Sequence, residues 1–108
     1  MDYTEKLAKW TAKGKAKKVL KLFTSDDKNV VLQAIEAAGK MGGEEAINNL
    51  TFMTENQDKE LRVAAIKALS NCGLEGTYTR FVNYLINEKD EDVKEVLKEA
   101  IATIKARK

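Results

Sequence analysis

One pattern constrains this chain more than any other: a twelve-residue stretch occurs three times. The copies are Asp27-Lys-Asn-Val-Val-Leu-Gln-Ala-Ile-Glu-Ala-Ala38, Asp58-Lys-Glu-Leu-Arg-Val-Ala-Ala-Ile-Lys-Ala-Leu69 and Asp90-Glu-Asp-Val-Lys-Glu-Val-Leu-Lys-Glu-Ala-Ile101. The spacing is 31 residues, with one residue added in the loop 88–92 before the third copy. Equivalent positions keep their character: Val30, Leu61 and Val93; Ala34, Ala65 and Leu97; Ala37, Ala68 and Ala100; Ala38, Leu69 and Ile101; Met41, Cys72 and Ile104. Within a copy the matched positions run i, i+4, i+7, i+8, i+11, which is one face of an α-helix. A period of this length is the mark of stacked supersecondary units.

The punctuation agrees with helices. Each copy opens on an Asp whose carboxylate can accept from the unpaired N–H groups of a first turn. The first two copies close near Gly42-Gly43 and Gly73, read as left-handed stop residues. Companion helices fit the intervals: 15–23 with Ala16, Val19, Leu20 and Phe23; 44–54 with Ile47, Leu50 and Met53; 77–87 with Tyr78, Phe81, Val82 and Leu85. Residues 3–13 keep the register of the repeated helix, with Leu7 at the Ala38 position and Trp10 at the Met41 position. They predict a capping helix whose Trp10 covers core at the open end.

Composition narrows the chemistry. The 108 residues are 44% apolar and 33% charged, enough for a buried core. There is no histidine, no proline and one cysteine, Cys72. That removes histidine-based triads, His-ligated zinc, cysteine-rich metal sites and an intrachain disulfide. No apolar run is long enough for a membrane span and no signal-peptide pattern opens the chain, so the expected setting is cytoplasmic, with no membrane partner. Charge is uneven: residues 1–24 hold seven Lys against Asp2 and Glu5, whereas residues 25–54 hold two Lys against five acids.

A hairpin whose second helix reads Asp-x-x-[Val/Leu]-[Arg/Lys]-x-x-Ala-x-x-Ala-Leu resembles the HEAT-repeat family, and the copy 58–69 carries it best. The short period is similar to the phycobilisome-lyase type of that family. The arginine of the pattern is kept as Arg62, with Val31 and Lys94 at its equivalents; Ser25, Asn56 and Glu88 stand where relatives often have a second Asp. The resemblance implies an all-α fold, a right-handed α-solenoid of three helical hairpins preceded by one N-terminal helix, about seven helices. The expected divisions are a cap over 1–13 and repeats over 14–43, 44–74 and 75–108. In such arrays the second helices line the concave, binding side.

Candidate sites follow from the register. Off the core stripe, the second helices present a polar ridge: Glu5, Glu36, Lys67 and Glu99 in one row, Lys9, Lys40, Asn71 and Thr103 in another, with Gln33 beside them. This ridge is either a partner-protein contact or a solvated face with Glu36–Lys67–Glu99 ion pairs across repeats. A second candidate is the basic patch of Lys6, Lys13, Lys15, Lys17, Lys18 and Lys21, suited to phosphates or an acidic protein, though it lacks Arg and its aromatics fall on core positions. Cys72 sits in a core row with no histidine to activate it and reads as an inert buried thiol. The acids at 90–92 lack the Gly and distal Glu of a calcium loop. No phosphate-binding glycine loop and no catalytic residue, cofactor site or metal site is expected. The reading is a non-enzymatic protein-interaction module, monomeric or dimeric. Nucleic-acid binding through the lysines is the first alternative, and an accessory subunit of a lyase-like enzyme, by family analogy, is the second.

Overall fold

A computed structural model describes residues 3–107. Met1, Asp2 and Lys108, at the ends of the expected cap and third repeat, lie outside the described residues. The helices are α1 (Thr4–Ala12), α2 (Ala16–Lys21), α3 (Lys28–Met41), α4 (Glu44–Met53), α5 (Lys59–Cys72), α6 (Glu75–Asn87) and α7 (Glu91–Ala106), with a 3₁₀ turn, Leu22–Thr24, extending α2. α2 pairs with α3, α4 with α5 and α6 with α7. The second helices then stack in the order α1, α3, α5, α7. The result is a slab of 37 × 29 × 17 Å, two helices thick.

The repeated alanines set the spacing of that stack. Ala34, Ala65 and Leu97 are wholly buried, and Ala37, Ala38, Ala68 and Ala100 are buried beside them. Alanine methyls lie among the larger Ile35, Ile66 and Leu69 at the contact of α3 with α5, and where the small residues stand the backbones approach closely. At Gly39 the approach is closest: a Cβ there would stand 2.8 Å from the Cβ and 2.9 Å from the Cα of Ala68. Leu7 is buried and Trp10 half-buried against the same core. Four expected stripe residues, Met41, Leu61, Cys72 and Ile101, are half-buried rather than buried, because they sit where the stripe meets the surface.

Each of the three aspartates caps its helix. Asp27 accepts from the Asn29 N–H at 3.0 Å, Asp58 from Leu61 at 3.2 Å, and Asp90 from Asp92 at 2.9 Å and Val93 at 3.2 Å. Ser25, Asn56 and Glu88 complete the same turn, each accepting from the Asp N–H two residues on, at 3.1, 2.8 and 3.1 Å. Three different side chains thus fill the role of the second Asp, since the turn needs only an oxygen at that point.

Gly42 stops α3 in the left-handed region, φ 66°. Gly73 does not: its φ is −65°, so the expected left-handed stop is absent. Glycine is required there for room. A Cβ would lie 2.6 Å from the Leu69 carbonyl and 2.8 Å from the Thr77 methyl.

Candidate protein-binding face

The interior offers no site. Among the described residues, no buried side-chain polar atom lacks a hydrogen-bond partner, and no cluster of His, Cys, Asp or Glu could hold a metal ion.

The ridge residues lie on the exposed side of the second helices. Glu5 and Lys9 are on α1, Glu36 and Lys40 on α3, Lys67 and Asn71 on α5, and Glu99 and Thr103 on α7; all are exposed. Gln33 is half-buried, and its Oε1 accepts from the Tyr3 N–H at 3.4 Å, so it fastens α1 to α3. Two shallow grooves run between these helices. The α1/α3 groove, about 480 Å³, has Leu7, Ala8, Ala12 and Ala37 on its floor and Glu36 and Lys40 on its rim. The α3/α5 groove, about 410 Å³, lies between Glu36 and Lys40 on one side and Lys67 and Asn71 on the other. The structure therefore brings Glu36, Lys40, Lys67 and Asn71 together. Glu5, Lys9, Glu99 and Thr103 stand on neighbouring helices outside both grooves.

The expected Glu36–Lys67–Glu99 ion pairs do not form. Glu36 pairs with Lys40 one turn along its own helix, at 3.4 Å. The Glu99 carboxylate enters no ion pair among the described residues. The shorter i,i+4 reach on one helix wins over the span between helices.

Charge pairing between repeats runs along the loop edge instead, through residues the sequence reading passed over. Lys28 Nζ lies 3.0 Å from the Asp58 carboxylate and 2.8 Å from Glu60; Lys59 Nζ lies 2.9 Å from Asp90 and 3.2 Å from Asp92. Hydrogen bonds to Glu60 and Asp58 raise the Lys28 pKa, and those to Asp90 and Asp92 raise that of Lys59. Asp58 and Asp90 are lowered in turn, first by these lysines and then by the capping N–H groups. The signal was the Asp-Lys dipeptide at 27–28 and 58–59, which becomes Asp90-Glu91 in the last copy. Arg62 takes no part; it donates to the Asn56 and Gln57 carbonyls of its own loop at 3.3 and 3.2 Å.

On the opposite face α4 and α6 are joined near their C-termini by Thr54 Oγ1 and the Tyr84 hydroxyl at 3.0 Å. Their N-terminal halves splay around a groove of about 640 Å³ lined by Ile47, Thr51, Cys72, Leu74 and Arg80. Cys72 is half-buried there, not fully buried as its row implied. Its thiol donates to the Ala68 carbonyl at 3.6 Å, and burial pushes its pKa up, with nearby Arg107 pulling the other way. Arg107 itself donates to the Ser70 and Gly73 carbonyls and ties α7 to the end of α5.

The lysines Lys6, Lys13, Lys15, Lys17, Lys18 and Lys21 are all exposed, on α1, α2 and the turn between them. Trp10, expected in the core, is half-exposed. Its ring centroid is 6.4 Å from that of Tyr3. No helix among the described residues is long and apolar enough to cross a membrane.

No curated protein and no solved structure matches the chain. A family model described as HEAT repeats matches residues 16–102, from the start of α2 to near the end of α7. The match does not single out the phycobilisome-lyase type. HEAT repeats generally mediate protein–protein interaction or scaffolding and are typically non-catalytic. Three stacked hairpins with alanine-lined contacts and Asp-capped second helices, matched over most of the length, mean that this chain belongs to the HEAT-repeat family.

Proposed function

We propose that the chain is a non-catalytic protein-binding module whose partner lies across the second helices, over α1, α3 and α5. One observation carries the proposal: two adjoining grooves on that face are separated by the exposed Glu36–Lys40 pair and bounded by Lys67 and Asn71. Alanine floors give a partner side chain room, and mixed charge on the rim favours one orientation over others. The remaining ridge residues, Glu5, Lys9, Gln33, Glu99 and Thr103, extend the contact in both directions. The proposal includes a monomeric state in a cytoplasmic setting.

The test is paired charge reversal. Immobilised wild-type chain, a Glu36→Lys/Lys67→Glu variant and a Lys89→Glu control are used to capture binders at moderate salt after nuclease treatment. A protein retained by wild type and control and lost from the double variant supports the face. Equal retention by all three removes it. Light scattering on the purified chain checks the monomer.

A further inference from the structure

The N-terminal hairpin carries charge that no carboxylate of the described residues neutralises. From Lys6 to Ser25 the sequence has seven lysines, including Lys9, and no acid. All seven are exposed. None takes part in an ion pair among the described residues, whereas Lys28, Lys40, Lys59, Lys94 and Lys98 all do. Several are set against each other on one helix: Lys6 and Lys9, Lys9 and Lys13, Lys17 and Lys21. Like charges at these spacings destabilise a helix. Ion pairing within the fold therefore does not account for this run of lysines.

The second observation is aromatic. Tyr3 and Trp10 are half-exposed at the same end, tilted 40° to each other. Each already has an ammonium over its ring, Lys6 at 5.6 Å from the Tyr3 centroid and Lys18 at 5.8 Å from that of Trp10. Both rings remain partly exposed, and a flexible lysine can move from a ring to a phosphate. Lysines along a surface with stacking rings among them are what an unpaired nucleic acid strand requires. An acidic peptide has no use for the rings. A membrane would need apolar anchors here, but the large exposed apolar residues, Phe52, Leu74 and Ile86, belong to α4, α6 and the turn between α5 and α6.

We infer that the α1–α2 hairpin is a second binding surface, separate from the protein-binding face, that takes single-stranded nucleic acid with phosphates on its lysines and a base against the Tyr3–Trp10 pair. Trp10 is the only tryptophan, so its emission reports this site alone. The experiment titrates oligo-dT and oligo-rU into the full chain, following Trp10 fluorescence and, with labelled strands, anisotropy. Saturable quenching is expected. Four neutralised phosphates would lower affinity about twentyfold between 50 and 150 mM salt. A Lys13→Glu/Lys15→Glu/Lys17→Glu variant, which changes only exposed positions, should lose at least tenfold in affinity while keeping its helical circular dichroism. Three results overturn the inference: no binding at low salt, binding that leaves Trp10 emission and the variant unaffected, or equal quenching by polyglutamate or anionic vesicles of matched charge.

Discussion

Replacing Gly39 by Ala tests the packing argument where it is tightest. Taken alone, Gly→Ala inside a helix is favourable by about 0.5–1 kcal/mol, because glycine loses more backbone freedom on folding. At Gly39 the added methyl would meet Ala68 at 2.8 Å from its Cβ, 2.9 Å from its Cα and 3.0 Å from its carbonyl oxygen. Two of those are backbone atoms, and no rotamer moves them. Reaching ordinary contact at 3.4 Å means parting α3 from α5 by about 0.5 Å, which loosens the buried contacts of Ala34, Ala38 and Ala65 along the same seam. Overpacking of this kind costs about 1–3 kcal/mol. The net expectation is a loss of about 1 kcal/mol, or a Tm lower by about 4 °C in a chain of this size. Gly76→Ala is the internal control. Gly76 lies in α6 with nothing within 4 Å of the new methyl, so it should gain a few tenths of a kcal/mol. Ala68→Gly in the Gly39→Ala background removes the nearest clash and should rescue part of the loss, a coupling visible in a double-mutant cycle. Urea and thermal melts followed by circular dichroism measure wild type, the two glycine variants, Ala68→Gly alone and the double variant. If Gly39→Ala is as stable as Gly76→Ala, close approach does not set the α3–α5 spacing and the repeat register is wrong.

Three further expectations come from the edge and the ends of the stack. Asp58 and Asp90 are held below the ordinary 3.8 by Lys28 and Lys59, so their contribution is present above that value and is lost as pH falls through the depressed folded-state pKa. Asp58→Asn with Asp90→Asn should flatten the fall of Tm on acidification below about pH 5, and an unchanged acid profile counts against the ladder. On the alkaline side, Lys28 and Lys59 contribute below 10.5, and that contribution is lost as pH rises through their raised folded-state values. Asp27→Ala should lower stability by about 1 kcal/mol through loss of the α3 cap, with Asp27→Asn near wild type in the same melts. Cys72 should react with an aromatic disulfide reagent at pH 8 more slowly than in denaturant, because burial raises its pKa above 9.0; Arg107→Gln should slow it further, and equal rates in folded and unfolded chain would contradict the burial.

The stack was legible because a repeat must match its own neighbour. Ala34 faces the next copy of the same helix, so a side chain that suits one contact is written again at Ala65, and the period shows in the letters. Gly73 was misread because the letter glycine has two meanings. It marks a left-handed residue at Gly42 and a place too narrow for a Cβ at itself, and only the position of Thr77 separates them. Cys72 and Trp10 were placed in the core because periodicity gives a direction around the helix. How much neighbouring structure stands in that direction is decided by the splay of α4 from α6 and by the end of the array.

Surface chemistry follows a different rule. Glu36 and Lys67 share a register row, yet the pair that forms is Glu36 with Lys40, because one turn of a helix fixes distance more tightly than the gap between two helices. The pairs that do cross repeats, Lys28 with Asp58 and Lys59 with Asp90, use residues already anchored at helix starts. There the acceptor is held by its cap and the donor comes from the first turn of the preceding second helix, so little side-chain freedom is lost on pairing. Capping and repeat-to-repeat pairing thus share the same carboxylates at Asp58 and Asp90. One edge of the stack uses its charges to join repeats, whereas the lysines of the N-terminal end enter no ion pair among the described residues and, at Lys6 and Lys18, lie over aromatic rings that another molecule can reach.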